Sequence, residues 1–257
     1  MKIIACWLLS LSLLVAHTAV AAQKVTIAAA ADLKFCLDEL VVAFKHEHAQ
    51  TEFDVVYGSS GKFKTQIEQG APFDLYFSAD SAYPRELRKA GLAATDARVY
   101  AVGRIVLWSA TLDAGKLTLA DLVRSDIAKI AIANPQHAPY GKRAEEALRA
   151  AGVWDAVQPK LVLGENIAQT AQFVQSGNAQ VGIIALSLAL NPQLAKQGGY
   201  ALVPAALHQP LEQAFVITQH GAGNALAAAF ADYVQSSAAR AVMVRYGFAL
   251  PGETAAQ

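Results

Sequence analysis

Short apolar runs alternate with helix-like patterns from residue 24 to the C-terminus, and this alternation constrains the fold more than any other feature. The run Lys24-Val25-Thr26-Ile27-Ala28-Ala29-Ala30 is apolar enough for a strand buried on both faces. Leu33, Leu37, Leu40, Val41 and Phe44 then recur on one face of a helix. Further strand-sized runs lie at 53–57, 74–77, 129–132, 160–163 and 181–184. Helical patterns lie at 61–69, 84–90, 142–151, 168–175, 224–235 and 238–246, with a short helix expected after Thr118. Strands that alternate with helices form mainly parallel sheets covered on both faces. Such strands are apolar throughout, which accounts for a hydrophobic content of 54% and a charged content of 16%, against roughly 25% in an ordinary soluble domain.

Two extended runs, 100–108 and 213–218, separate two sets of strand–helix units. The expected architecture is therefore α/β with two lobes, each a mixed, mainly parallel sheet flanked by helices. The chain crosses between the lobes more than once, and the cleft between them is the natural ligand site.

The first residues stand outside this pattern. Lys2, an apolar stretch at 3–15 and the small residues Ala19-Val20-Ala21-Ala22 have the layout of a secretory signal peptide. The stretch is shorter than the roughly 20 apolar residues of a membrane-spanning helix, the alternative reading. Cleavage is expected near Ala21 or Ala22. The mature chain then keeps one cysteine, Cys36, which its apolar neighbours Phe35 and Leu37 mark as a buried thiol.

Charge and motifs narrow the function. Lys+Arg and Asp+Glu both number 21, which excludes the basic surplus of a nucleic-acid binder and the high net charge of a disordered chain. No Gly-x-Ser-x-Gly elbow is present. Gly58-Ser59-Ser60-Gly61-Lys62 mimics a phosphate-binding loop only loosely, because Phe63 stands where a Ser or Thr is required. His46 and His48 point apart on a helix, and His137, His208 and His220 show no ligand spacing. The expectation is a binding protein, not an enzyme, with no cofactor and no directly liganded metal. The alternative from another class is a hydrolase using Ser59 or Ser60.

Four strand-to-helix junctions carry small or polar residues: Ala30-Ala31-Asp32-Leu33, Gly58-Ser59-Ser60-Gly61, Ala138-Pro139-Tyr140-Gly141 and Gly164-Glu165-Asn166-Ile167. Unpaired N–H groups and the helix dipole make such starts anion sites. Asp32, Ser60 and Asn166 also suit plain N-caps, and both readings stand at this point. Lys34, Lys62 and Lys142 each follow a junction residue by two positions. A cation there opposes the dipole unless an anion is present, or else simply extends into solvent.

At these junctions the chain resembles the periplasmic molybdate-binding proteins of bacterial ABC importers, the ModA family. The resemblance is carried in order by residues 25–31, Gly58-Ser59-Ser60-Gly61, Gln66 to Pro72, Asp74 with Ser78-Ala79-Asp80, Asn134 to Gly141, Gly182-Ile183 and Arg245-Tyr246-Gly247-Phe248. It implies a two-lobed periplasmic-binding fold of type II, with residues 1–22 as signal peptide, 23–102 plus 215–257 as lobe 1 and 103–214 as lobe 2. It also implies a monomeric periplasmic protein that captures molybdate, and tungstate too, for a membrane permease.

The family holds a tetrahedral oxyanion with neutral donors. By position, Ser60 is expected to give its hydroxyl and N–H, and Tyr140 and Ile167 their backbone N–H groups. Ala31, Ser59, Lys34, Lys62 and Asn166 are expected as supporting residues. Two departures stand out. Ala185 replaces a tyrosine of many members, a phenol that Tyr140 is placed to supply. Asp32 occupies a hydroxyl position, and three readings of it remain open. Its carboxylate caps its own helix and turns away; Lys34 or Lys62 neutralises it; or it takes a proton from a protonated oxyanion. The last would shift the ligand towards an anion such as phosphate.

Overall fold

The computed structural model describes residues 23–252; the expected signal peptide lies outside the described residues. Ten strands occur in chain order: β1 Gln23–Ala30, β2 Thr51–Gly58, β3 Leu75–Ser78, β4 Arg98–Gly103, β5 Ile105–Ser109, β6 Ile130–Ala133, β7 Leu161–Gly164, β8 Val181–Ala185, β9 Gly199–Leu202 and β10 Leu211–Ile217. The longer helices are α1 Lys34–Glu47, α2 Ser60–Glu68, α3 Ala82–Lys89, α4 Pro139–Ala150, α5 Ile167–Gln175, α6 Ala225–Val234 and α7 Ser237–Arg245.

The strands form two five-stranded sheets, ordered β2-β1-β3-β10-β4 and β7-β6-β8-β5-β9. In the first, β1 runs parallel to β2 and β3, and β10 runs against β3 and β4. The second repeats the scheme, with β6 parallel to β7 and β8, and β5 against β8 and β9. Each sheet thus has one reversed strand among parallel ones, the mixed, mainly parallel arrangement expected. Interior strands are largely apolar: Val25, Ile27, Ala28 and Ala29 in β1, and all of β6, are buried. Edge strand β2 instead alternates buried-side and exposed residues, because one of its faces meets water.

The run 100–108, too long for one strand, is two. It breaks at Arg104, with β4 in the first sheet and β5 in the second. Gly103 sits at that break, where a Cβ would lie 2.3 Å from the Tyr140 hydroxyl, so any larger residue would collide with it. The return segment pairs beside it from Leu211, opposite Gly103. Helix α4 begins three residues earlier than its apolar periodicity indicates, because Pro139 presets the first helical position. Strand β9, exposed along most of its length, carries no strong apolar pattern and was not anticipated. Cys36 is buried as expected, and burial pushes its thiol up to about 12.

Candidate functional site

Strand register brings the four junctions together. Ala30 at the end of β1 pairs with Gly58 at the end of β2, and Ala133 at the end of β6 pairs with Gly164 at the end of β7. Parallel neighbours end on one side, so the chain leaves each pair into adjacent helix starts. The two sheets face each other across these starts. Ala31, Asp32, Ser59, Ser60, Tyr140, Asn166 and Ile167 line one cavity, with Ala30, Gly58, Ala79, Ala138 and Pro139 completing its wall. The space open to the centre of a water-sized sphere is about 10 Å³. That suits a ligand of a few atoms and excludes a sugar or a peptide.

The helix starts resolve the capping question residue by residue. Asn166 is an N-cap, its side chain accepting from the Gln169 N–H at 2.9 Å. Asp32 and Ser60 are not; they lie inside the first turns of the short helix Ala31–Leu33 and of α2, whose caps Ala30 and Ser59 contribute no side-chain bond. In α4 the first position is Pro139, which has no N–H, so Tyr140 holds the first backbone donor. Ile167 is the first residue of α5. First-turn N–H groups lack intrahelical acceptors and are available to an anion. The Ser60 hydroxyl oxygen accepts from the Ala79 N–H at 3.0 Å, which leaves its proton to donate.

Asp32 departs from two of its three readings. It is 1% exposed and does not cap its own helix. Instead Oδ2 accepts from the Tyr140 hydroxyl at 2.9 Å and from Gln213 Nε2 at 2.6 Å. Lys34 and Lys62 do not neutralise it. Lys34 lies 3.4 Å from Asp38 and over the Tyr57 ring, on a groove apart from the cavity, and Lys62 pairs with Glu165. Lys142 reaches the Tyr83 hydroxyl at 3.3 Å. Among the described residues Asp32 has no salt bridge, and its Oδ1 is without a hydrogen-bond partner. Burial pushes its carboxyl up to about 6, against the downward pull of Gln213, Tyr140 and the nearby N–H groups of Asp32 and Leu33.

Tyr140 does not replace the missing phenol. Its hydroxyl proton is committed to Asp32, its oxygen accepts from Gln213 at 3.1 Å, and its side chain is buried. Its backbone N–H, in the first turn of α4, has no intrahelical acceptor. Ala185 closes the end of β8 and is fully buried.

Three residues absent from the sequence expectations complete the site. Gln213 is a fully buried amide in β10, beside a register shift that leaves Tyr100 of β4 as the extra residue. Its Oε1 accepts from the Tyr100 hydroxyl at 2.6 Å, so Tyr100, Gln213, Asp32 and Tyr140 form one network beneath the cavity. A lone glutamine in an apolar strand run was the available signal. The third is His137, whose carbonyl accepts from the Gly61 N–H at 2.9 Å and the Ser59 hydroxyl at 2.5 Å. Those bonds clasp the α2 start to the loop before α4. The His137 ring also lies near Ser59, Nδ1 to Oγ 3.0 Å, a proximity no motif announced. The Ser59 hydroxyl is thus engaged by the His137 carbonyl as well as by its ring.

Residues 25–249 match the bacterial extracellular solute-binding protein family. The molybdate-binding protein ModA of Rhodobacter capsulatus is 36% identical over 231 residues, 89% of each chain. ModA of Azotobacter vinelandii is likewise 36% identical, over 89% of this chain and 91% of its own. A solved structure of the Azotobacter vinelandii periplasmic molybdate-binding protein superposes with a TM-score of 0.81 at 30% identity, covering 88% of this chain and 99% of that one. The two-lobed type II architecture is common to both.

Proposed function

The chain belongs to the bacterial extracellular solute-binding protein family, and from that premise we propose that it captures molybdate in the periplasm and hands it to the permease of an ABC importer. One observation carries this reading. Four helix starts from two sheets converge on a small cavity whose lining has no cationic side chain and whose donors are neutral. Ser60 supplies its hydroxyl, and Tyr140 and Ile167 supply backbone N–H groups. Dipoles aimed by a rigid frame hold a dianion without a counter-charge, at little reorganisation cost. The relatives that bear the ModA name support molybdate as the ligand.

The division into lobe 1 (23–102 with 215–257) and lobe 2 (103–214), a cleaved signal peptide ending near Ala22, monomeric action and binding of tungstate belong to the same proposal. Tungstate follows from chemistry, because it is a tetrahedral dianion like molybdate. The activity is binding and release; Ser59 is engaged in the lobe contact, not poised for turnover.

Parallel calorimetric titrations with molybdate, tungstate, sulfate and phosphate test the reading. Micromolar or tighter binding of molybdate and tungstate, with sulfate and phosphate much weaker, is the expected result. Millimolar or absent molybdate binding overturns it, and a preference for phosphate would favour the protonated-anion alternative that Asp32 raises.

A further inference from the structure

We propose that Asp32 takes up one proton from solvent when the oxyanion binds, and that its Oδ1–H then donates to the bound anion in place of the hydroxyl usual at this position. The inference rests on the oxyanion reading and adds a linked proton to it.

The geometry leaves few alternatives. Asp32 lines the cavity and is 1% exposed. Its Oδ2 is occupied by two neutral donors, Tyr140 and Gln213, while its Oδ1 has no hydrogen-bond partner. Every titratable side chain that faces it is neutral at physiological pH. These are the Cys36 thiol from α1, the Tyr100 phenol from β4 and the Tyr140 phenol from α4, all held well above their ordinary pKa values by burial. Gln213 from β10 and the Ser187 hydroxyl, which donates to the Asp32 carbonyl at 2.8 Å, carry no charge. Lys34 and Lys62 are directed to Asp38 and Glu165.

A dianion held in this cavity would lie beside an ionised carboxylate, one oxygen of which has no hydrogen-bond partner. In a closed site of low dielectric that repulsion is large. One proton removes it and turns Oδ1 from an unpaired acceptor into a donor. The balance is one carboxylate, one dianion and one proton from water, giving a complex with the anion's two negative charges and a neutral carboxyl. Burial already raises Asp32 to about 6 in the ligand-free chain. At neutral pH and above the residue is thus mostly ionised until the anion arrives, and the adjacent negative charge raises it further.

Titration calorimetry of the full mature chain with molybdate, in phosphate-free buffers of different ionisation enthalpy, counts the protons. Uptake is expected to approach one per anion at about pH 8 and to fall to about half at pH 6, where half the free carboxyls already hold a proton. Molybdate Kd should rise roughly tenfold per pH unit above that range. In Asp32→Asn the uptake should vanish and Kd should become flat with pH. Asp32→Ser gives a second, smaller neutral residue if the amide variant folds poorly. Molybdate binding by the wild-type chain with no proton uptake at pH 8 overturns this inference and leaves the oxyanion reading standing, as does unchanged uptake in either variant. No binding of any of the four anions refutes both.

Discussion

Gly61→Ala should weaken oxyanion binding while leaving the ligand-free chain as stable as before, or slightly more so. Gly61 is the second residue of α2, and its N–H donates to the His137 carbonyl of the facing loop at 2.9 Å. A Cβ built there would lie 2.6 Å from that oxygen, 3.0 Å from the His137 Cα and 3.2 Å from its carbonyl carbon. These are backbone atoms, so no side chain can rotate away. Restoring ordinary contact distances needs a local separation of roughly 0.5–0.8 Å. That shift strains the closed form by about 1–3 kcal/mol and stretches the hydrogen bonds from Gly61 and Ser59, each contributing about 0.5–1.5 kcal/mol. A loss near 2–4 kcal/mol corresponds to a Kd roughly 30- to 1000-fold weaker. Parting of the lobes in the ligand-free chain would free the methyl group from the facing loop, and alanine favours the helix by up to about 1 kcal/mol over glycine. Titration calorimetry with molybdate and a thermal melt of the ligand-free variant read the two effects separately. An unchanged Kd together with a lowered Tm would refute the reasoning, because it would make the Gly61–His137 contact a permanent part of the fold and not a closure contact.

Two further perturbations probe the buried network. The carboxyl of Asp32, raised from 3.8 to about 6 by burial, lets the folded chain hold a proton that the unfolded chain has released between those values. Stability therefore falls as pH rises through that window, by about 3 kcal/mol in full. Ligand-free Asp32→Asn should match the wild type near pH 4 and exceed it at pH 7.5, as read from urea unfolding at the two pH values; an equal difference at both would contradict the assignment. Gln213→Leu leaves the Tyr100 hydroxyl without its acceptor and Asp32 Oδ2 with one donor fewer, inside a fully buried region. Unsatisfied groups of this kind cost about 1–3 kcal/mol each, so Tm should drop by roughly 5–15 °C. A melt within 2 °C of the wild type would show that water or repacking satisfies the pair.

The fold was legible because its signals are local. Residues 24–30 read as a buried strand because apolar side chains fill both faces from Val25 on, and in β1 all of these residues but Lys24 and Thr26 are buried. The start of α5 was legible for the same reason, since Asn166 accepts from an N–H three residues on, whereas α4 starts at Pro139, ahead of its apolar periodicity. What misled was the reading of charge. Lys34 and Lys62 follow their junctions closely in sequence, yet Lys34 extends along its helix to Asp38 and Lys62 crosses to Glu165 at the junction before α5. The phenol of Tyr140, expected to replace the tyrosine missing at Ala185, is instead bonded to Asp32.

Sequence by itself determined the strand–helix alternation, the four junctions and the types of donor they carry, because periodicity and first-turn chemistry act over a few residues. Tertiary structure decided the state of Asp32. Its partners stand 108 and 181 residues away, at Tyr140 and Gln213, and no pattern within a helical turn connects them. Their meeting depends on two sheets presenting their strand ends to one cavity and on the register of β10 against β4. A carboxylate beside an anion site is an ordinary surface charge or a buried proton acceptor according to what surrounds it, and those surroundings come from opposite ends of the chain.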